Sequence, residues 1–202
     1  MTSANQVPLA RPSKARARLV EAASGLFYSD GIRNVSIEQV LDAARVTRST
    51  LYRNFATKDD LEFAYLEGED QKIRARFAEA AAAVSTPDEL LHLVVGAITH
   101  DVCGPGFRGC PFMNAAIEYP ESDHQVRTAV SSHRAWFFES VCAVLKSARH
   151  PDPDRAGRAL VLLRDGSMMG GYLDDPAEIA KVLEWAVRSI VGDTGPASTS
   201  SE

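Results

Sequence analysis

Two helix-start signals stand eleven positions apart in the first third of the chain, and few folds fit between them. Ser36-x-x-Gln39 has the form of a capping box, in which each side chain satisfies a backbone N–H of the other residue's end of the turn. It opens a segment whose apolar residues are Ile37, Val40 and Leu41. Thr47 is a second N-cap and begins Arg48-Ser49-Thr50-Leu51-Tyr52-Arg53-Asn54, with only Ala44, Arg45 and Val46 between the two segments. Ahead of both, Leu19, Ala22, Ala23, Leu26 and Phe27 recur at i, i+3, i+4, i+7 and i+8, the stripe of an amphipathic helix over about 14 to 30. Ser13 is placed to cap it and Gly31 to end it in a left-handed conformation. Two short helices, a tight turn and a supporting helix predict a helix-turn-helix.

The same signals continue downstream. Thr57-x-x-Asp60 opens a long helix running through Leu61, Tyr65, Ile73 and Phe77 toward Val84. Thr86-Pro87-Asp88-Glu89 combines an N-cap, a proline at the first helical position and an acidic third residue, and its helix should stop near Cys103, before Gly104-Pro105-Gly106. Further helices are predicted over Pro111 to Glu118, 122 to 149, 154 to 173 and 176 to 191, with His150-Pro151-Asp152-Pro153 as a break. No strand pattern or internal repeat is visible. The predicted fold class is all-α, with about nine helices: a basic disordered arm (1–12), a helix-turn-helix domain (13–63), a second helical domain (64–191) and a disordered tail (192–202).

Charge sharpens this division. The net charge of −5 argues by itself against a nucleic-acid partner. Residues 1 to 60, however, hold nine Lys and Arg against six Asp and Glu, and Arg11, Lys14, Arg16 and Arg18 all precede the first acidic residue. The basic side is the side with the two short helices. No apolar run approaches the roughly 18 residues of a membrane span and no leader pattern is visible at the N-terminus, so the expected location is the cytoplasm. Three cysteines, Cys103, Cys110 and Cys142, are too few for a disulfide framework.

The stretch LVEAASGLFYSDGIRNVSIEQVLDAARVTRSTLYRNFATKDDLEF, residues 19 to 63, resembles the N-terminal DNA-binding domain of the TetR family, notably in LF-x3-G, the turn into Thr47, LYRNF and TKDDL. A recognition helix enters the major groove by its N-terminal end, which puts Arg48, Ser49 and Arg53 within reach of base edges, while Leu51 and Phe55 should face inward. Arginine is the commonest bidentate reader of guanine. By resemblance, Thr47 and Tyr52 would bond phosphates, and Lys58 sits at a helix N-terminus where dipole and ammonium both favour an anion. In one position the chain departs from the family, which usually has Gly where Arg45 stands; a non-Gly residue at positive φ there costs about 1 kcal/mol.

The resemblance further implies a ligand-binding and dimerisation domain beyond about residue 64, with the last two helices of each subunit building a four-helix interface. Leu160, Val161, Leu163, Met168, Met169, Tyr172, Ile179, Val182, Leu183, Trp185, Ala186 and Ile190 make both helices apolar enough. The function implied is a ligand-responsive repressor that binds a palindromic operator on double-stranded DNA as a homodimer and is released by a small, largely apolar effector, with α-helix 58–84 as lever. Cys103 to Pro120 resembles a G-C-x-F-x-N-A-x-x-E segment of some members and suits a pocket wall. Phe107, Cys110, Met113, Asn114, Tyr119, His133, Trp136, Phe137, Met169 and Tyr172 are the candidate ligand contacts, with core packing as the competing reading of each.

Alternatives centre on the cysteines. Cys103 and Cys110 are flanked by glycine, and Arg108 and the following helix N-terminus would activate Cys110 as a redox or electrophile sensor. His100, Cys103, Cys110 and His124 have zinc-binding atoms but lack a C-x-x-C pair, so no metal site is assigned. A thiol hydrolase pairing Cys110 with His124 or His133 would need a base in hydrogen-bond reach, which this spacing does not enforce. No phosphate loop or dinucleotide fingerprint is present, and neither an enzyme nor a cofactor is expected.

Overall fold

A computed structural model describes residues 13–192, and the expected arm at 1–12 and the tail beyond Gly192 lie outside the described residues. Among the described residues the chain forms nine α-helices and no strand: α1 (Lys14–Asp30), α2 (Ile37–Ala44), α3 (Arg48–Asn54), α4 (Lys58–Ala83), α5 (Pro87–Val102), α6 (Pro111–Glu118), α7 (Gln125–Ser147), α8 (Pro153–Leu173) and α9 (Pro176–Val191). The caps explain the boundaries. Ser13, Ser36, Thr47 and Thr86 each accept a backbone N–H of the following turn, and Ser36 and Thr86 complete reciprocal boxes with Gln39 and Glu89. Gly31 differs from expectation. It takes φ 89° and ψ 145°, a positive φ outside the left-handed helical well, and its N–H bonds Phe27 O.

The chain divides into two compact units at Tyr65/Leu66, within α4. In the first unit Leu19, Ala23 and Phe27 of α1, Val40, Leu41 and Ala44 of α2, and Leu51 of α3 are buried together with Ile32, Val35 and Phe55. Tyr65 meets Phe27 edge to face, with ring centroids 5.7 Å apart.

The second unit is built around α8, which packs on α5, α7 and α9. Its buried residues, Ala156, Gly157, Leu160, Arg164, Ser167, Met168 and Gly171, recur every three or four positions. The glycines of this stripe let neighbouring helices approach. A Cβ on Gly157 would stand 2.6 Å from Cys142 Sγ on α7, and one on Gly171 would overlap Val102 Cγ1 on α5. Around α8 the core continues through Leu90, Leu91, Phe137, Val141, Val144, Leu145, Leu183 and Val187.

His133, Arg164 and Ser167 are the buried polar side chains among the described residues of this unit. His133 of α7 is 1% exposed and lies flat on the Phe112 ring, centroids 3.7 Å apart. Its Nδ1 lies 2.8 Å from Asp70 Oδ1, and because an ionised carboxylate only accepts, Nδ1 carries the proton. Burial pushes the imidazole below its ordinary value, against the pull of Asp70 and with the repulsion of Arg164 and Arg74.

Gly171→Ala should destabilise the protein by about 1–3 kcal/mol through overpacking, whereas Gly96→Ala on the open face of α5, where an added Cβ meets nothing within 4 Å, should stabilise it by up to about 1 kcal/mol; urea unfolding reads both signs. Because the folded value of His133 is depressed, its contribution is complete above the unfolded value of about 6.5 and is lost as pH falls through the folded one. The urea midpoint should therefore fall on acidification below about pH 6.5 more steeply in the wild type than in His133→Gln.

Candidate functional site

The helix that carries the candidate base-reading residues is held from below. Leu51 is fully buried and Phe55 is 4% exposed, with the Arg16 guanidinium 5.0 Å over the Phe55 ring. Asn54 donates to Thr50 O at 2.7 Å and accepts from Ser13 Oγ at 2.9 Å, tying α3 to the start of α1. On the opposite side Arg48, Ser49, Tyr52 and Arg53, spaced i, i+1, i+4 and i+5, form one exposed face, and Tyr52 is half exposed although large aromatics are usually buried. Thr47 Oγ1 caps the helix and lies 3.0 Å from Ser49 Oγ and 2.9 Å from Thr50 Oγ1, while Arg53 donates to Thr50 Oγ1 at 3.2 Å. Arg48 pairs with Glu38 of α2.

The turn before α3 adopts the backbone expected of glycine. Arg45 has φ 51° and ψ 51°, in the left-handed well. Its N–H bonds Asp42 O and the next N–H, of Val46, bonds Leu41 O, both at 3.2 Å, the pattern by which a helix end turns its last carbonyls inward. Two further carbonyls are met by Arg18 of α1, whose Nη2 donates to Ala44 O and, at 3.0 Å, to Arg45 O. A cation at a helix C-terminus also complements the macrodipole. On sequence Arg18 counted only as part of the basic N-terminal side, because the carbonyls it meets lie 26 and 27 residues away.

Lys58 is engaged within the first unit. Its Nζ donates to Ile32 O at 2.7 Å, lies 3.3 Å from Glu62 Oε1 and sits 5.7 Å from the centre of the Phe27 ring. Glu62 is 1% exposed, so Lys58 supplies charge compensation that a buried carboxylate requires.

In the second unit the ten candidate ligand contacts do not converge. A pocket of about 560 Å³, its open mouth included, is lined by Ile73, Phe77 and Ala80 of α4, Leu93, Val94, Ala97 and Ile98 of α5, Trp136 and Phe137 of α7, and Met168 of α8, with Arg76, Asp101 and Arg164 as its charged members. Of the candidates, Trp136 and Phe137 reach it. Cys110, Tyr119 and His133 are buried elsewhere in the core, Phe107, Met113, Asn114 and Met169 are partly buried outside this lining, and Tyr172 is 48% exposed on α8. The 103–119 segment forms no part of the wall. The reason lies in local bonding: Asn114 Nδ2 donates to Arg108 O at 2.9 Å, closing the loop on itself, and Arg127 donates to Ala116 O and Tyr119 O, capping α6.

Arg164 is the residue that sequence analysis missed. It is 7% exposed, lies over the Phe137 ring, and donates from Nη1 to Asp165 Oδ1 at 3.0 Å and from Nη2 to Cys110 Sγ at 3.3 Å. Burial disfavours its charge, yet the Cys110 sulfur and the Asp165 carboxylate hold it firmly cationic. A signal existed: Arg164 stands four positions after Leu160 and four before Met168, on the apolar stripe. The other thiols differ from Cys110. Cys103 is exposed, and burial pushes the Cys142 thiol up, reinforced by Asp154.

A braced, exposed recognition helix joined to an all-helical second unit that contains a pocket defines a helix-turn-helix regulator. Residues 19–65 match the model of bacterial regulatory proteins, tetR family. A TetR-family transcriptional regulator from Streptomyces coelicolor of known structure is 42% identical and superposes with a TM-score of 0.85, covering 88% of this chain and 94% of that one. The HTH-type transcriptional regulator UidR of Escherichia coli is 26% identical over 184 residues, 88% of this chain and 91% of its own. The HTH-type transcriptional repressor KstR2 of Mycobacterium tuberculosis is 28% identical over 76 residues, 38% of each chain. The chain belongs to the TetR family and is a DNA-binding transcriptional regulator. Among the described residues no helix is long and apolar enough to cross a membrane.

Because Arg45 occupies the left-handed well, Arg45→Gly should stabilise the first unit by about 1 kcal/mol, while Arg18→Met should destabilise it by about 1–2 kcal/mol through two lost hydrogen bonds to helix-end carbonyls. Thermal unfolding followed by circular dichroism checks both directions.

Proposed function

We propose that this regulator is a ligand-responsive repressor that binds a palindromic operator as a homodimer and is released by a small, largely apolar effector. The observation that carries the DNA reading is the face of α3 bearing Arg48, Ser49, Tyr52 and Arg53, presented outward by a helix anchored through Leu51 and Phe55. Arg48, Ser49 and Arg53 read base edges, and Thr47 and Tyr52 contact phosphate. Lys58 contributes to the phosphate field from the start of α4, where its charge is shared with Glu62. Repression, rather than activation, is the reading supported by the similarity to the repressor KstR2.

Dimerisation is supported by apolar surface on the last two helices. Leu162, Tyr172 and Leu173 on α8 and Val182 and Trp185 on α9 are between 48% and 70% exposed, more than a monomer ordinarily leaves in contact with water. Leu183, which on sequence alone belongs to the same interface set, is 4% exposed and packs in the subunit's own core, so it is no probe of assembly. Effector response is supported by the apolar pocket beside Trp136 and Phe137. An effector releases DNA only by binding one conformation better than the other. The domain assignment follows the same division: DNA binding up to residue 63, sensing and assembly from 64 to 191.

The test begins with retardation of DNA from the regulator's own upstream region. Arg48→Ala should weaken the preferred half-site by about 1–3 kcal/mol and relax preference at one position. Tyr52→Phe should weaken all sequences alike. Trp185→Glu should yield a folded monomer by sedimentation that no longer binds the operator. A wild-type monomer at micromolar concentration, or Arg48→Ala with unchanged base preference, would refute the corresponding part.

A further inference from the structure

We infer that the pocket between α4, α5, α7 and α8 takes an amphipathic carboxylate, its apolar body against Phe77, Ile98 and Trp136 and its carboxylate on the guanidinium of Arg164. The inference deepens the ligand-responsive reading and rests on it for its regulatory meaning, though not for the binding itself.

Charge compensation in this pocket is unequal. Three charged side chains line an otherwise apolar pocket: Arg76, Asp101 and Arg164. Arg76 and Asp101 satisfy each other in a two-point pair at 3.0 and 3.1 Å, the fork geometry in which a guanidinium and a carboxylate are fully matched. Arg164 has no such match. One oxygen of Asp165 accepts from it at 3.0 Å, and the other oxygen of the same carboxylate is engaged by Arg134 at 2.7 Å, so two guanidinium groups divide a single negative charge. The second arm of Arg164 meets Cys110 Sγ at 3.3 Å, and a thiol is a weak acceptor. Arg164 is thus a nearly buried cation lining an apolar cavity, its one carboxylate partner shared with Arg134, whereas the exposed Arg76 has the Asp101 carboxylate to itself. A cation removed from water favours a planar anion that offers two oxygens to its fork. The rest of the lining, from Ile73 to Met168, offers an alkyl or aryl body and no further charge that is not already paired. A neutral apolar effector would fill the volume and leave Arg164 as it is; a phosphate monoester would bring more negative charge than one partly compensated arginine balances. The class that fits is a monocarboxylate with a chain or ring behind it.

The test uses the full-length protein and two matched probe pairs, octanoate with octanol and 4-phenylbutyrate with 4-phenylbutanol, followed by isothermal titration calorimetry below aggregating concentrations. The wild type should bind each acid about tenfold or more tighter than its alcohol, the ratio expected of a charge-assisted hydrogen bond. Arg164→Met, which keeps the apolar stem and removes the guanidinium, should bind acid and alcohol alike, and Ala97→Phe, which fills the apolar part of the cavity, should weaken both acids. Should Arg164→Met fail to fold, the acid-to-alcohol ratio of the wild type decides together with Ala97→Phe. Alcohols binding as tightly as acids, a folded Arg164→Met that keeps the preference, or no binding of either acid would overturn the proposal. Operator retardation with the same probes separates the two readings. Acid binding that leaves operator affinity unchanged would refute ligand release while the carboxylate site stands; release by an alcohol with no acid binding would refute the carboxylate and leave ligand release intact.

Discussion

The second unit depends on how closely α8 can be approached. Helices normally pack with 8 to 10 Å between axes, the distance set by the side chains at the crossing. On α8 the crossing residues at 157 and 171 have no side chain, and the Cys142 sulfur and the Val102 methyl occupy the space a Cβ would take. A mid-helix glycine costs about 1 kcal/mol in propensity, and here that cost is offset by dispersion contacts that a larger residue would abolish. The stripe that contains these glycines also contains Arg164, so the packing that forms the core is the packing that carries a cation to the pocket wall.

The first unit solves a different problem, the satisfaction of backbone groups at short helix ends. Helices of seven and eight residues expose a large share of unpaired N–H and C=O groups, and hydroxyl caps at Ser36 and Thr47 answer the N-terminal ones. Arg18 answers the C-terminal carbonyls of α2, and Lys58 answers the carbonyl of Ile32 while balancing Glu62. Basic residues that sequence reasoning assigns to phosphate are thus partly consumed by the fold. The exposed face of α3 is less constrained, since Arg48 has only a solvent-exposed partner in Glu38. Such pairs contribute little in water and are readily exchanged for a stronger anion. Bracing beneath the helix and freedom above it are what a reading surface requires.

Helix number and helix ends were legible in the sequence, and so was the family, because both are local properties. The capping boxes at Ser36 and Thr86, the prolines at 87, 153 and 176 and the three-and-four spacing of apolar residues act within one or two turns, and the structure places every helix within a few residues of where these signals set it. Leu51 and Phe55 could be assigned to the inner face on spacing and Thr47 to the cap on its hydroxyl, whereas the left-handed turn at Arg45 followed only from the family resemblance, in which glycine usually stands there.

What the sequence could not determine is which chemically similar residues meet. Cys103 to Pro120 has the composition of a pocket wall, yet Asn114 turns back on Arg108 and the segment closes on itself. Leu183 and Trp185 are two positions apart on an apolar helix, and only packing against α8 decides that one enters the core and the other faces out. Arg164 with Cys110 at a separation of 54 residues and Arg18 with Arg45 at 27 are pairs whose interaction leaves no periodic trace. Caps and stripes are fixed by bonds within a single helix, whereas charge compensation and cavities arise from the distances between helices, and those exist only once the chain has packed.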